Sequence, residues 1–393
     1  MPIEFDNTGD KRAKIRVIGV GGGGGNAVED MISRGMSNVD FLVTNTDVQA
    51  LDRSSANYRI QAGKNLTRGL GAGADPSVGY RAVEEDKDEV AASLAGSDMV
   101  FVTAGMGGGT GTGGTPVVAN IAKGLGALVV GIVTKPFHYE GKRRMAQAEE
   151  GIEELRKHVD TLIVIPNQKL LTICDRTTPI SDAFRIANQV LYNATRGIAE
   201  IITIPGLVNV DFADVRTIMR DMGDALMGSG VATGENRAVE AANNAISSPL
   251  LDGISIAGAQ GVLFNITGGE NLTMFEVDEA ASIINEAVGE DANVIFGAVI
   301  DPSMGDEMRV TVIATGFNKR HSQARPQQQI RTSVAPRISH IPSGISELKE
   351  YDAPSFARRG MSLVTGLDSH EGEQERIEKS DPNKPAFLRK IMD

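Results

Sequence analysis

Short apolar segments alternate with longer amphipathic ones through the first half of the chain. The apolar segments have the length of buried β-strands and cover residues 14–20, 39–47, 99–102, 128–134 and 161–167. Helical patterns separate them, one ending at about residue 34 and others over about 76–94, 115–122 and 143–158. Strands alternating with helices predict an α/β fold with a parallel, Rossmann-like sheet, whose strands all end at one edge.

The second half opens with a long helical pattern and then changes character. The helix is predicted over 181–203, with Val190 and Ile198 among its apolar positions and Pro205 after its end. Residues 228–247 are small and polar and then helical. Strand patterns follow over 254–266, 294–301 and 308–315, with a helix over about 276–288. These patterns predict a second, α+β domain.

Past Phe317 the chain becomes rich in scattered proline, serine, glutamine and arginine, which is typical of a disordered linker. The predicted division is therefore a flexible N-terminus (1–12), a first domain (13–180), a central helix (181–204), a loop with its following helix (205–222), an α+β domain (223–317), a disordered linker (318–380) and a short tail (381–393).

Three glycine-rich stretches lie among the predicted strand ends, namely 21–25, 69–73 and 105–114. The first and third each follow a strand and precede a helix, and Pro116 is expected in the first turn of the latter helix. Such a junction presents backbone N–H groups and a positive helix end to an anion. No GxxxxGK[ST] motif occurs, so phosphates would be held by backbone amides, helix ends and a metal ion, with the Thr110 hydroxyl.

A dinucleotide-binding interpretation is also open at this stage. Gly19-x-Gly21-x-x-Gly24 matches the fingerprint of that fold, and Asp47 lies near the expected position of a ribose-binding acid. This alternative, an NAD(P)-dependent oxidoreductase, leaves the other two glycine stretches without a role.

Charge and composition narrow the class of protein. The net charge is −12, with −15 on residues 1–318 and +3 on 319–393, so the main body is a poor partner for nucleic acid. No apolar run approaches the length of a membrane span, and the N-terminus lacks the apolar core of a signal peptide, so direct membrane insertion is not expected. A single cysteine, Cys174, fits the reducing cytosol.

The longest motifs carry a family resemblance. Gly107–Gly113 matches the tubulin signature GGGTG[ST]G, and it occurs in order with Gly21–Asn26, Gly69–Asp75 and Asn209–Asp214. Together they resemble the tubulin/FtsZ family, in its bacterial cell-division branch, over about 12–317 and again at 385–389. The resemblance implies a cytoplasmic GTPase that polymerises head to tail into the cytokinetic ring at midcell, beneath the inner membrane. A nucleotide-binding filament protein without turnover is a further alternative.

The resemblance also implies which residues bind GTP. Ala72 and Gly73 would close over the γ-phosphate, and residues 109–111 would hold the α- and β-phosphates. The full implied set is Gly21, Gly22, Gly23, Gly24, Gly25, Asn26, Ala72, Gly73, Gly109, Thr110, Gly111, Glu140, Arg144, Asn167, Phe184 and Asn188. Mg²⁺ is expected with the nucleotide, a monovalent cation is a further candidate, and no metal ligands are assigned.

Within that set the roles differ. Glu140 and Arg144 match positions near the ribose and phosphates, Asn167 and Asn188 match guanine-contacting positions, and Phe184 would pack on the base. Spacing independently places Phe184 and Asn188 on one helix face. Many relatives carry aspartate where Asn188 stands. A carboxylate accepts from two guanine N–H groups whereas an amide oxygen is one acceptor, so guanine is the expected base and Asn188 leaves the strength of that preference open.

The candidate catalytic residues are Asp211, Asp214 and Asn209. Two carboxylates can polarise a water molecule or help hold a cation. They follow the long helix, which spans ~30 Å, so they cannot reach the nucleotide of their own chain. The resemblance implies that they act on the nucleotide of the next subunit, across an open head-to-tail contact. The alternative to a catalytic role is that the two acids are solvated loop charges or cap a helix. Asp214 is the expected cap, because it precedes a helix predicted over 215–222.

The tail ends in a short apolar and basic segment, typical of a docking peptide. In the family the corresponding peptide binds membrane tethers of the FtsA and ZipA type and division regulators. The resemblance implies that Phe387 and Leu388 are the apolar anchors and Arg389 and Lys390 the charged ones.

Overall fold

The computed structural model describes residues 13–317, apart from 173, 176, 205, 207, 209, 252–255 and 291. The predicted N-terminal segment, linker and tail, with Phe387, Leu388, Arg389 and Lys390, lie outside the described residues, as does Asn209. The strands are β1 (Ile15–Val20), β2 (Asp40–Asn45), β3 (Tyr58–Gln61), β4 (Met99–Gly105), β5 (Leu128–Lys135), β6 (Thr161–Pro166), β7 (Gly223–Ala232), β8 (Gly261–Gly268), β9 (Asn293–Ile300) and β10 (Met308–Thr315).

The helices of the described residues alternate with these strands. They are α1 (Gly21–Ser33), α2 (Val48–Asp52), α3 (Lys64–Thr67), α4 (Pro76–Glu85), α5 (Lys87–Leu94), α6 (Thr110–Gly124), α7 (Lys142–Arg156), α8 (Asn167–Leu170), α9 (Ile180–Thr203), α10 (Phe212–Met219), α11 (Arg237–Ile246) and α12 (Met274–Val288). Single 3₁₀ turns lie at His138–Glu140 and Pro302–Met304.

The strands form one sheet in the order β3-β2-β1-β4-β5-β6-β7-β10-β8-β9. All neighbours from β3 to β7 are parallel, and β10 is antiparallel to both β7 and β8. The predicted α/β fold with a mostly parallel sheet is therefore confirmed. The strands from β3 to β6 end at what we call the carboxyl edge, and begin at the amino edge. Strand order reverses between β1 and β4, which is where open parallel sheets form ligand crevices.

Helices cover both faces of the parallel part. One core joins α1 and the central helix α9 to the sheet, with Val190, Leu191 and Ile198 of α9 buried in it. A second core lies on the other face, between the sheet and the four helices α4, α5, α6 and α7, and contains for example Val83, Val118 and Leu155. The long central helix is thus confirmed, and its apolar stripe faces the sheet as the sequence pattern requires.

Two predictions of local structure in the first half were wrong. The helix after β4 begins at Thr110, so Pro116 lies inside α6 and not in its first turn. Glycines 111, 113 and 114 already adopt helical backbone there. The single helix over 76–94 is interrupted at Asp86, whose carboxylate accepts a hydrogen bond from Gly63 N at 2.7 Å. That tertiary contact holds Asp86 out of helical geometry.

Two more predictions failed in the second half. Residues 228–232 belong to strand β7, whereas the sequence pattern showed only small and polar residues there and predicted no strand. They are small because α11 crosses the strand closely: a Cβ on Gly228 would collide with the Ala245 carbonyl, and one on Gly230 would collide with the Ala241 carbonyl. The strand expected from residue 254 begins only at Gly261, and described residues 256–260 form a turn.

No helix among the described residues is long and apolar enough to cross a membrane.

Candidate functional site

The reversal between β1 and β4 brings the three glycine-rich stretches together at the carboxyl edge. Helix α1 starts directly after β1, and α6 starts after the loop that follows β4. The Thr46 and Thr110 hydroxyls lie 2.6 Å apart, which joins the end of β2 to the start of α6. Gly71 N donates to the Thr46 carbonyl at 3.1 Å, so the stretch 69–73 is fixed to the same edge.

The glycines of 21–25 divide into two sterically different groups. A Cβ on Gly21 would lie 2.8 Å from Gly111 N, one on Gly23 would lie 3.0 Å from Gly105, and one on Gly24 would collide with the Thr103 carbonyl. These three are required by packing. Gly22 and Gly25 have nothing within 4 Å of a built Cβ. Nothing in the protein itself demands glycine at these two positions, which leaves room for a molecule that approaches the backbone.

The third stretch divides in the same way. Gly109 is tightly packed, since its Cβ would lie 2.8 Å from the Ala72 side chain, whereas Gly108 has nothing within 4 Å. Gly73 is exposed and has a positive φ of 59°, which glycine adopts without strain. Ala72 is buried beneath it.

Gly22 and Gly25 line a cleft of about 180 Å³ with Asn45 and Arg53, between the start of α1 and the end of β2. A second cleft of about 230 Å³ shares Asn26 with the first and collects seven residues of the implied nucleotide set. Its lining contains Gly23, Asn26, Glu140, Arg144, Asn167, Phe184 and Asn188, together with Gly105, Met106, Thr134, Pro136, Ala187 and Leu191. Residues that are far apart in sequence, on α1, the β5–α7 connection, α8 and α9, therefore face the same space. Phe184 and Asn188 do share one face of α9.

Hydrogen bonds and ring contacts fix the side chains around this cleft. The Glu140 carboxylate accepts from Phe137 N at 2.8 Å and lies 3.2 Å from Arg144 Nε. The Phe137 ring stacks on Tyr139 with a centroid separation of 5.3 Å and meets the Phe184 ring edge-on at 5.5 Å. Phe184 stays 42% exposed, so one side of its ring is available to a planar ligand.

Asn167 supplies the most specific polar group of the cleft. It is 5% exposed, and its Oδ1 has no hydrogen-bond partner. A buried acceptor without a partner is costly in a folded protein. An N–H donor from a ligand in the cleft would satisfy this oxygen.

Sequence reasoning missed several residues at this edge. Thr46 was seen only as part of a polar strand end, yet it bonds both Thr110 and Gly71. Gly108 was quoted in the motif but was not singled out. Thr134, near the end of β5, and Pro136, just after it, line the cleft because β5 is the neighbour of β4. Strand order, which no local pattern contains, was the missing information.

Asp211 and Asp214 are not in this cleft. They begin α10, which is attached to the amino edge: Arg216 donates to the Gly126 carbonyl at 3.2 Å, just before β5, and Thr161, the first residue of β6, bonds the Met219 carbonyl. From Asn188 to Thr203 the central helix alone rises ~22 Å. The expected separation of these acids from the cleft therefore agrees with the fold.

The expected cap of this helix was wrong. Helix α10 begins at Phe212, and its N-cap is Asp211, whose Oδ1 accepts from Asp214 N at 2.9 Å. Asp214 lies in the first turn. Both side chains are exposed. The cap differs from the predicted one because the helix starts at Phe212, three residues before the predicted start at 215, so Phe212 and Ala213 lie in its first turn.

Asp47, the acid of the dinucleotide-binding alternative, also caps a helix. Its carboxylate accepts from Gln49 N at 2.9 Å at the start of α2. Among the described residues, no group of three or more His, Cys, Asp or Glu side chains could hold a metal ion. A cation at the carboxyl edge would therefore need other ligands besides protein carboxylates.

Comparisons with known proteins agree with the motifs. Residues 14–175 match the Tubulin/FtsZ family, GTPase domain, and residues 223–318 match the FtsZ family, C-terminal domain. The structure is similar to an empty FtsZ dimer from M. jannaschii, at 46% sequence identity and a TM-score of 0.75, over 79% of this chain and 90% of that chain. Similarity of fold alone extends to two proteins from Haloferax volcanii at 22% identity. CetZ2, a GTPgS-bound protofilament, has a TM-score of 0.65, and the match covers 79% of this chain and 96% of the CetZ2 chain. CetZ1, a GDP-bound monomer, has a TM-score of 0.67, and the match covers 78% of this chain and 95% of the CetZ1 chain.

Proposed function

The chain belongs to the tubulin/FtsZ family of GTPases, and from that premise we propose that it is a GTP-dependent, self-assembling GTPase of the cytokinetic ring. GTP binds at the carboxyl edge of one subunit. Asp211 and Asp214 of the next subunit, with Asn209, complete the hydrolytic site. The observation that carries the proposal is the division of the implied site between two opposite edges of one sheet.

The carboxyl edge supports the binding half of the proposal. The open positions at Gly22, Gly25 and Gly108 let phosphate oxygens approach the backbone N–H groups at the starts of α1 and α6. The base then enters the adjoining cleft, where Phe184 offers a ring face and the unpartnered Asn167 Oδ1 accepts from a guanine N–H. Mg²⁺ would be held largely by the phosphates and by water, as is usual for this ion.

The amino edge supports the hydrolytic half. Two exposed carboxylates at the start of α10 face away from their own cleft. Stacking one copy on the next brings them to the γ-phosphate, where they would orient and polarise the attacking water. A contact of this kind does not close on itself and so builds a filament. Loss of the γ-phosphate then removes part of the contact between subunits.

Phosphate release against protein concentration tests this function. The rate per subunit should be negligible below a threshold and should rise above it, in step with light scattering. Asp214→Asn should bind GTP as the wild type does and lose turnover. A rate per subunit that is independent of concentration would contradict the shared site, and assembly without phosphate release would favour a filament protein without turnover.

The ring itself requires a link to the membrane. We assign that link to the tail, with Phe387 and Leu388 as apolar anchors for tethers of the FtsA and ZipA type, which would place the filament at midcell beneath the inner membrane. Removal of 381–393 should leave GTP turnover unchanged and abolish recruitment of filaments to vesicles that carry a tether. Recruitment that survives the truncation would contradict this role.

A further inference from the structure

A pair of hydroxyl groups lies at the carboxyl edge, between the end of β2 and the start of α6. Thr46 Oγ1 and Thr110 Oγ1 are 2.6 Å apart, and either oxygen could supply the hydrogen atom between them. The surroundings of the two residues differ, because Thr46 is 0% exposed whereas Thr110, the first residue of α6, is half-buried. Thr110 is therefore the member of the pair that a ligand can reach.

The burial of Thr46 decides which hydroxyl donates. The two groups carry two hydrogen atoms, of which one lies between the oxygens and the other needs an acceptor elsewhere. Among the described residues, the Thr46 hydroxyl has Thr110 as its one hydrogen-bond partner. If Thr110 were the donor, the hydrogen atom of the buried Thr46 hydroxyl would have no acceptor, which is costly. Thr46 is therefore the donor, and the hydrogen atom of Thr110 remains available.

Two neighbouring helices confine Thr110. A Cβ built on Gly21 would lie 3.3 Å from Thr110 Cβ, so this side chain stands beside the start of α1. A Cβ built on Gly79 would lie 2.9 Å from Thr110 Cα, so α4 packs closely on its backbone. The exposed part of Thr110 therefore lies at the first turn of α6, where the helix end attracts an anion.

Thr46 is itself held by hydrogen bonds to its backbone. Its carbonyl oxygen accepts from Gly71 N at 3.1 Å and from Thr67 Oγ1 at 3.3 Å. The residue before it, Asn45, is paired with Gln61 of β3. The buried hydroxyl therefore has a fixed position, and its bond to Thr110 restricts the rotation of the second hydroxyl. A donor that is oriented in advance loses little conformational entropy when a ligand binds.

We infer that Thr46 is a positioning residue of the phosphate site: its hydroxyl donates to Thr110 Oγ1, and Thr110 in turn donates to a phosphate oxygen of GTP. The inference rests on the proposed function and adds to its binding site a residue that the glycine motifs do not contain. Donation by Thr46 polarises the Thr110 hydroxyl and makes it a stronger donor. The effect on affinity is large enough to measure because a hydrogen bond to a charged oxygen is stronger than one to a neutral oxygen.

A double-mutant cycle on the two threonines tests this role. Thr46→Val should raise the Kd for GTP about five- to tenfold, and Thr110→Val should raise it about tenfold or more. The Kd of the double variant should equal that of Thr110→Val, because Thr46 acts through Thr110. Thr46→Ser keeps the hydroxyl and should restore most of the affinity. Titration of a fluorescent GTP analogue measures each Kd, at protein concentrations below the assembly threshold.

Thr195→Val is the matched control, because Thr195 is also 0% exposed and its hydroxyl bonds the Leu191 carbonyl of its own helix at 2.9 Å. It should bind GTP as the wild type does. Thermal unfolding without nucleotide checks the folding of each variant, and Thr46→Ala takes the place of Thr46→Val if valine prevents folding. Wild-type affinity in Thr46→Val, or losses that multiply in the double variant, would overturn the inference alone. A wild type that does not bind GTP would overturn the proposed function, and the inference with it.

Discussion

Two neighbouring glycines of α1 should respond oppositely to the same substitution. In Gly22→Ala the added methyl group enters open space, while in Gly24→Ala it collides with the Thr103 carbonyl and lies 2.9 Å from Gly19 C. Both residues belong to one helix and one run of glycines. The pair therefore separates glycine that the fold requires from glycine that a ligand requires.

The magnitudes follow from these distances. Alanine at position 22 favours helix and restricts the unfolded chain, so the nucleotide-free protein should gain about 0.5–1 kcal/mol. GTP should bind more weakly by about 1–3 kcal/mol, or roughly 5- to 150-fold in Kd, since the methyl group occupies the space of a phosphate oxygen. Gly24→Ala should lose about 3 kcal/mol or more of stability, because the collision is with backbone that cannot move aside.

Two measurements decide the outcome for Gly22→Ala. Thermal unfolding without nucleotide should show an equal or higher Tm than the wild type, and the rise of Tm with GTP should be smaller at every GTP concentration. Gly25→Ala, the other open position, should behave likewise. If Gly22→Ala binds GTP as tightly as the wild type does, the phosphates do not lie over the start of α1, and the argument from open glycines is refuted.

Three further changes probe other parts of the structure. Asp211→Ala should cost about 1 kcal/mol of stability through loss of the α10 cap, whereas Asp211→Asn keeps a cap, so only turnover should fall in the latter. Hydrogen bonding to Arg237 lowers the pKa of Glu276 to about 2 from 4.5. This carboxylate therefore stabilises the fold above about pH 4.5, by about 3 kcal/mol at most. In urea titrations the free energy of unfolding of the wild type should lose this contribution between about pH 4.5 and 2, whereas Glu276→Gln, which has no carboxylate here, should lack that fall. Asn188→Asp should raise the preference for GTP over ITP, which lacks the N2 amino group, and equal preference in competition binding would count against Asn188 as a base contact.

The sequence pattern predicted those helices and strands whose own apolar residues are enough to specify them. The apolar stripe with Val190 and Ile198 is long enough to specify α9, and the apolar run before the glycines specifies β4. Strand β7 was missed because its glycines at 228 and 230 serve the close approach of α11. The sequence shows a small residue there but does not show the helix that requires it.

The residues of the cleft were found for a different reason. Taken alone, Asn167 and Asn188 resemble ordinary surface amides, and only the match to a family motif assigned them to a base. The fold adds what the motif lacks, namely that Asn167 Oδ1 is buried and without a partner. Thr46 and Thr134 lacked a motif of their own, and they join the site through strand order, which depends on pairings between distant segments.

Asp211 caps α10, and this role is compatible with the catalytic one that we propose for the same carboxylate. Oδ1 accepts from Asp214 N, while the side chain remains exposed, so the second oxygen is free to face a neighbouring molecule. The cap restricts the rotation of the carboxylate, which would otherwise be lost as entropy on assembly. The same hydrogen bond brings the two acids together at the first turn of α10. In the proposed function, the cap is therefore the means by which one chain would present prearranged acids to the nucleotide of the next.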